Sequence, residues 1–427
     1  MTTSTWQQTK ERATALQQNS RTADSTEVQA AVRRFISWLD EYGETSYDHQ
    51  SFFASRLGRS AKALYYKHPM LGIAAVAPMI LCEAFLPSAR ALFYRKQRFP
   101  IADAHYAMGF AFLAETTGDE RHYRRAVHFL DVLESTRCPG YEHYCWGYPF
   151  DWETRTGTMK RGTPLITTIP YVYEAFREVF SIDANSRWQR IMESIAEHAA
   201  YDYHDRPTSD CASSCSYTPD PGDPCGVINA SAYRAVVLTR ASLVFSNSDY
   251  RRIAERNMRF VLESQNEDGS WYYSTDGQRD FIDHFHTCFV LKALSKIEAL
   301  TGDADCTRAI ERGVAYYVQN LFDANGTPRP FSRRPRLTVY RHELYDYAEC
   351  INLAVLLRGR FRGLDSILNR LLKLGPWQKH DGSFRARQLL IGWDNVPMHR
   401  WAQAQMFRSL CFFLREEKQH SIHTTAG

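Results

Sequence analysis

"QNEDGSWYYSTDGQRDFIDHFHTCFVLKAL", residues 265–294, decides how the rest of the chain is read. It opens as a tight Asp-Gly-Ser turn and runs into an apolar helix. From His286, the positions Phe289, Val290, Ala293, Leu294 and Ile297 follow helical spacing. Between turn and helix stand Trp271, Tyr272, Tyr273, Arg279, Asp276, Asp280, Asp283, His284 and His286. A plain helix–helix connector needs none of this chemistry, and long loops inside compact domains usually carry function.

The same pattern recurs along the chain. Short polar turns, "TTGDERHYRR" (116–125), "SIDANSRWQR" (181–190), "SNSDYRRIAER" (246–256) and "TGDADCTRAIER" (301–312), each offer a capping residue to a following amphipathic helix. The segments before them, with two further apolar stretches, are apolar on most sides: 105–115, 170–180, 229–245, 284–300, 344–358 and 398–414. Helices of that kind belong to an interior layer. Strand-like alternation is scarce. A repeat of roughly 50 residues predicts an all-α fold, an (α/α)6 toroid of alternating inner and outer helices. Residues 1–100 are expected as an N-terminal helical segment packing on or completing the toroid, and 101–427 as the toroid, one continuous domain. Turns from inner to outer helices are short, whereas the connections 137–169, 203–229, 265–284, 322–344 and 376–398 are long. All five should emerge at one rim, above the inner-helix N-termini, where helix dipoles suit an anionic ligand.

Composition narrows the function classes. The chain has 427 residues, 44% hydrophobic and 23% charged, with a net charge of +4. That charge, without any Lys/Arg run, gives no case for nucleic acid. The start lacks the basic-then-apolar pattern of a secretory signal, so a cytoplasmic location is the expectation. The most apolar stretch, "MLGIAAVAPMILCEAFL" (70–86), is broken by Pro78 and Glu83. It reads as part of a buried helix pair, with peripheral membrane contact as the alternative. Ten cysteines do not make a disulfide framework in so long a chain. Cys211, Cys215 and Cys225 have no fourth ligand at zinc spacing, so no metal and no cofactor are expected. Oligomeric state is left open.

The rim loops supply the candidate site. In the first, Trp146, Tyr148, Phe150 and Trp152 offer a stacking platform for sugar rings, with Asp151 and Arg155 to bind hydroxyls and anions. In the third, His286 is a candidate acid or base beside Asp283, because histidine titrates near neutrality. The fourth carries Arg329, Arg333, Arg334, Arg336 and Arg341 beside Glu343 and Tyr347. The fifth adds Trp393, Asp394, His399 and Arg400, with Asp394 and His399 as a proton-transfer or positioning pair.

Together, the helical alternation and "QNEDGSW", which has Q-x-x-x-G-x-W spacing, resemble the wider group of α/α-toroid enzymes. That group includes terpenoid cyclases, prenyltransferases, polysaccharide lyases and glucuronyl 5-epimerases. "DHFHTCFVLKAL" (283–294) resembles the Asp-Tyr-His-x-x-His helix start of the glucuronyl 5-epimerase catalytic domain, with one histidine displaced. The whole chain is similar to uncharacterised proteins of bacterial surface-polysaccharide loci. No Asp-x-Asp-Asp motif supports a terpenoid cyclase, and the zinc pattern of lanthipeptide cyclases is missing. The resemblance implies an enzyme acting on an acidic glycan or glycan precursor, by uronate 5-epimerisation or β-elimination. Both begin by removing the proton beside a sugar carboxylate. In that reading His286 and Tyr347 are acid and base, and Arg341 and Arg400 clamp the carboxylate. Two alternatives stand beside it. One is a glycoside hydrolase drawing on Asp151, Asp283, Glu343 and Asp394; the other is a non-catalytic glycan-binding or assembly protein.

Overall fold

The computed structural model describes residues 25–335, 338–361 and 363–425. Residues 1–24 of the N-terminal segment and Arg336 of the fourth loop lie outside them. Helix α1 is Ser25–Tyr42, and a hairpin follows, α2 (Arg56–Lys67) and α3 (Pro69–Phe85). Then come α4 (Pro100–Thr117), α5 (Glu120–Ser135), α6 (Ile169–Asp183), α7 (Ser186–Glu197), α8 (Ile228–Val244) and α9 (Ser248–Glu263). The chain ends with α10 (His284–Thr301), α11 (Ala304–Asn320), α12 (Leu344–Leu357), α13 (Leu364–Asn369) and α14 (Ala404–Thr425), the last preceded by a π-helical turn at His399–Gln403.

Helices α4, α6, α8, α10, α12 and α14 form the inner ring. Each packs on the next, and α14 returns to α4, so the ring closes. Their composition explains the position: in α4 every residue from Ala102 to Ala114 is buried. The outer helices bury one stripe only, as α9 does with Tyr250, Ile253, Ala254, Asn257, Met258, Phe260 and Val261. The short inner-to-outer turns are capped as expected. Asp119, Asn185, Asn247 and Asp303 each accept the backbone N–H two residues on.

The Q-x-x-x-G-x-W turn is a staple between neighbouring outer helices. Gln265 Nε2 donates to Gly269 O at 3.0 Å and to Ala309 O of α11 at 2.9 Å. Gly269 has φ +91°, and a β-carbon there would stand 2.4 Å from Arg312 O, so only glycine lets the turn approach. The Trp271 indole donates to Val261 O, and Gly313 leaves room for its ring. Residues 378–384, "QKHDGSF", repeat the device. Gln378 Nε2 donates to Gly382 O at 3.0 Å and to Ala31 O of α1 at 2.9 Å, and Gly382 (φ +94°) lies against Arg34 O. Helix α1 therefore stands to this turn as α11 stands to the other. It packs on α14 as the sixth outer helix.

The long loops meet at one end and are sewn to one another by short antiparallel bridges. Ile166 N–H donates to Tyr217 O, and Val227 pairs with Ser274. Ile282 pairs with Arg333, and Tyr340 with Leu389. Arg400 lies 4.5 Å over the Tyr148 ring, which puts the first and fifth loops at the same end. A sixth long connection, 43–99, carries the α2–α3 hairpin to this rim, where Arg59 pairs with Asp151.

Candidate active site

Helix α10 begins at the rim with Asp283 as its cap. The buried carboxylate accepts the His286 N–H at 2.8 Å through Oδ1 and meets His286 Nδ1 at 2.6 Å through Oδ2. One residue thus fixes both the helix start and the imidazole, leaving Nε2 as the nitrogen available to a substrate. The side chain of His286 is 22% exposed. Aromatic rings surround the opening. Tyr273 stands edge-on to His286 at 4.7 Å, Phe285 lies 5.0 Å from Tyr345, and Tyr345 lies 5.0 Å from Trp401. Arg400 covers Trp401 and Tyr148 at 4.5 Å each.

Below this mouth the toroid axis is polar. Lys292 pairs with Glu349, and Lys296 pairs with Glu174, which Arg408 approaches at 3.8 Å. Tyr171 and Tyr233 share a hydroxyl–hydroxyl bond of 2.5 Å, and His105 lies 4.6 Å from the Tyr171 ring. Several buried polar atoms here have no hydrogen-bond partner: both ring nitrogens of His105, Asn229 Oδ1, Glu349 Oε1, Arg408 Nε and Nη1, and both oxygens of Asp346. Such atoms are rare in folded proteins and mark places where water or ligand completes the network. Burial, with Arg408, Lys292 and Lys296 nearby, holds His105 well below the usual histidine range, so it is neutral. Burial brings Lys296 down to about 8 against the opposing pull of Glu174. Asp346 is pushed well above the carboxylate range, first by burial and then by Glu343 and Asp283. Burial and the two neighbouring carboxylates thus favour its neutral acid form over the carboxylate.

Other residues singled out in the sequence sit elsewhere. Trp146 is fully buried, donates to Leu133 O at 2.8 Å and anchors its loop, so it is no stacking platform. Tyr347 is buried against Trp377 at 5.0 Å, its hydroxyl raised to about 12 by burial. It does not join His286. The Asp394–His399 pair is not formed. His399 is buried with Nδ1 2.5 Å from Tyr106 Oη and Nε2 3.0 Å from Gly43 O, and burial holds it down at about 3. Asp394 pairs with Arg90 at 2.8 Å. Arg90 also binds Glu83, which binds Arg387, which binds Glu343, so five buried charges alternate in sign and lock the hairpin to the rim. Arg400 is no free carboxylate clamp, because Asp48 already takes its guanidinium in a buried bidentate pair at 2.6 and 2.8 Å.

Asp151 is held by Arg59 and by the Arg161 N–H, which lowers its pKa. Arg155 and Arg341 are exposed, the former 3.2 Å from Gln278. Trp393 meets Trp377 edge-on and lines a separate cleft of about 570 Å³ with Tyr42, Phe85, Leu86 and Pro397. Among the described residues, no three His, Cys, Asp or Glu side chains are placed to share a metal ion. Asp346, His105, Lys292, Arg408 and Trp401 do not stand out in the sequence. One signal was available: Asp346 is the third residue of its inner helix, as His286 is of α10.

No family model and no curated protein matches the chain in sequence. Solved structures do match. Cellobiose 2-epimerase from Bacillus thermoamylovorans B4167 superposes with a TM-score of 0.57 at 10% identity, covering 76% of this chain and 88% of that one. A mutant unsaturated glucuronyl hydrolase from Streptococcus agalactiae gives 0.54 at 10% identity, covering 93% of both chains. A D-mannose isomerase gives 0.55 at 12% identity, covering 75% of this chain and 87% of its own. The chain is an α/α toroid. Similar toroids are carbohydrate-active enzymes, and at these identities the likeness fixes the architecture alone.

Proposed function

We propose that this toroid is a carbohydrate-active enzyme acting on an acidic glycan, by proton abstraction beside a uronate carboxylate, as a 5-epimerase or lyase. The observation that carries the reading is the Asp283–His286 dyad, set at the mouth of an aromatic-lined ring above a polar axis. A sugar ring stacked on Trp401 or Tyr148 would present its C5–H to His286 Nε2. The imidazole takes the proton, and Asp283 stabilises the imidazolium through Nδ1. The electron pair left on carbon delocalises into the sugar carboxylate. Asp346, whose burial favours the neutral acid, is the group suited to donate a hydrogen bond to that oxyanion. Return of a proton to the opposite face gives the epimer; departure of the C4 oxygen gives the unsaturated product. Arg408, whose Nε and Nη1 have no hydrogen-bond partner, offers the axis a cation for anionic charge, whereas Arg400 is already paired with Asp48. Neighbouring toroids named as a sugar epimerase and a sugar isomerase support a carbohydrate substrate.

A hydrolase is the second reading, favoured by one observation: Asp346 is a buried carboxyl whose surroundings push its pKa upward, as suits a general acid. Titration calorimetry with matched uronate-containing and neutral oligosaccharides, at two salt concentrations, separates the two. The proposal expects tighter binding of the uronate glycan that weakens with salt. Equal affinity for both removes the acidic-glycan reading.

A further inference from the structure

The α2–α3 hairpin carries the most apolar surface of the molecule. Glu83 is the only charged residue of α3, and the side of the helix that faces protein is a single stripe: Gly72, Val76, Met79, Glu83 and Ala84. Around it Met70 is 85% exposed, Leu71 65%, Leu81 57% and Leu92, just beyond the helix, 87%, with Ile73, Ile80, Phe85 and Leu86 also open. Folded proteins rarely leave so many large apolar side chains together in water without a partner. The helix cannot roll to hide them. Gly72 touches the backbone of Tyr65 in α2 so closely that a β-carbon would overlap it, and Glu83 is locked between Arg90 and Arg387.

Charge identifies what covers this face. From Ser55 to Arg98 the cations are Arg56, Arg59, Lys62, Lys67, Arg90, Arg95, Lys96 and Arg98, and the only acid is the buried Glu83. Arg56, Lys67, Arg95 and Lys96 are exposed at the ends of the hairpin and just past it. An isologous contact with a second copy would set this cationic border against itself. Anionic headgroups complement it, with Tyr65 at the level where aromatic side chains favour the interface. No single helix among the described residues is long and apolar enough to cross a membrane. At about 1.5 Å per residue α3 measures roughly 25 Å, and one side of it is fixed to protein.

We propose that the hairpin docks the toroid on an anionic lipid bilayer, α3 lying in the plane of the interface. Because Arg59 and Arg387 tie the hairpin to the rim loops, docking brings the rim to the lipid surface. This inference is independent of the reaction proposed above. The test is flotation of the full-length protein with vesicles of phosphatidylcholine alone or equimolar phosphatidylcholine and phosphatidylglycerol. Leu71→Glu/Leu81→Glu and Lys67→Glu/Arg95→Glu are the variants, with unfolding midpoints measured alongside. The wild type should float with the anionic vesicles, less so in added salt, and each variant should lose roughly tenfold or more in partitioning at an unchanged midpoint. No flotation of the wild type, flotation that both variants retain, or a wild-type dimer that the leucine variant makes monomeric would overturn it.

Discussion

Replacing Gln378 by alanine tests how the ring closes. The side-chain amide donates to Gly382 O and to Ala31 O at 3.0 and 2.9 Å, and both bonds are partly buried. A hydrogen bond of this kind contributes about 1 kcal/mol net, so the loss should be about 2 kcal/mol. Gln265→Ala removes the matching pair to Gly269 O and Ala309 O and should lose about the same. Urea denaturation of the two variants and the wild type, at unchanged slope, gives the comparison. Limited proteolysis adds a directional reading: Gln378→Ala should expose α1 to cleavage, and Gln265→Ala should not. If Gln265→Ala is destabilising while Gln378→Ala is silent by both measures, α1 is not the sixth outer helix in solution.

Arg400→Lys should act on stability, because lysine cannot reproduce the buried two-pronged pair with Asp48. A loss of about 3 kcal/mol in denaturant is expected, and an unchanged midpoint would return Arg400 to the ligand-binding candidates. His399 should make the fold acid-sensitive. Its folded pKa of about 3 lies below the ordinary value of 6.5, so its contribution is complete above pH 6.5 and is lost as pH falls toward 3. His399→Gln should flatten the stability–pH curve in that window; a slope equal to the wild type would show that His399 is not buried neutral.

The alternation of inner and outer helices was legible because burial on all sides and burial on one side leave different residue patterns in a helix. Ile253, Met258 and Val261 on α9 show the second kind, and the run from Ala102 to Ala114 shows the first. That the first hundred residues could complete the toroid was read from the sequence, but which helix takes the sixth outer place was not, because it comes from the opposite end of the chain. The turn that receives it, at 378–384, has Phe384 where the other has Trp271. At the rim, Asp283 and His286 stand at an inner-helix start, as their sequence placed them, since the cap and the imidazole are local to each other. Arg400, His399 and Asp394 misled for the converse reason. Their partners Asp48, Gly43 and Arg90 lie some three hundred residues away and leave no trace in the local pattern. Asp346, His105 and Arg408 were hidden as isolated polar residues on apolar helices. Only closure of the ring sets Arg408 beside His105, and Asp346 near Asp283.

Whether Asp283 and His286 act as a proton-abstracting dyad can be read from isotope exchange. A uronate-containing oligosaccharide is incubated with the protein in D2O, and deuterium at the carbon beside the carboxylate is followed by NMR. With the wild type, deuterium should be incorporated if a proton is returned to that carbon, or a C4=C5 unsaturated product should form if the C4 oxygen departs; His286→Ala should give neither, and its unfolding free energy should stay within about 1–2 kcal/mol of the wild type. Asp283→Asn should slow exchange further than its effect on stability explains. Exchange or elimination that persists at the wild-type rate in His286→Ala, or cleavage of the glycan by the wild type to a saturated product without any deuterium on that carbon, would rule the dyad out.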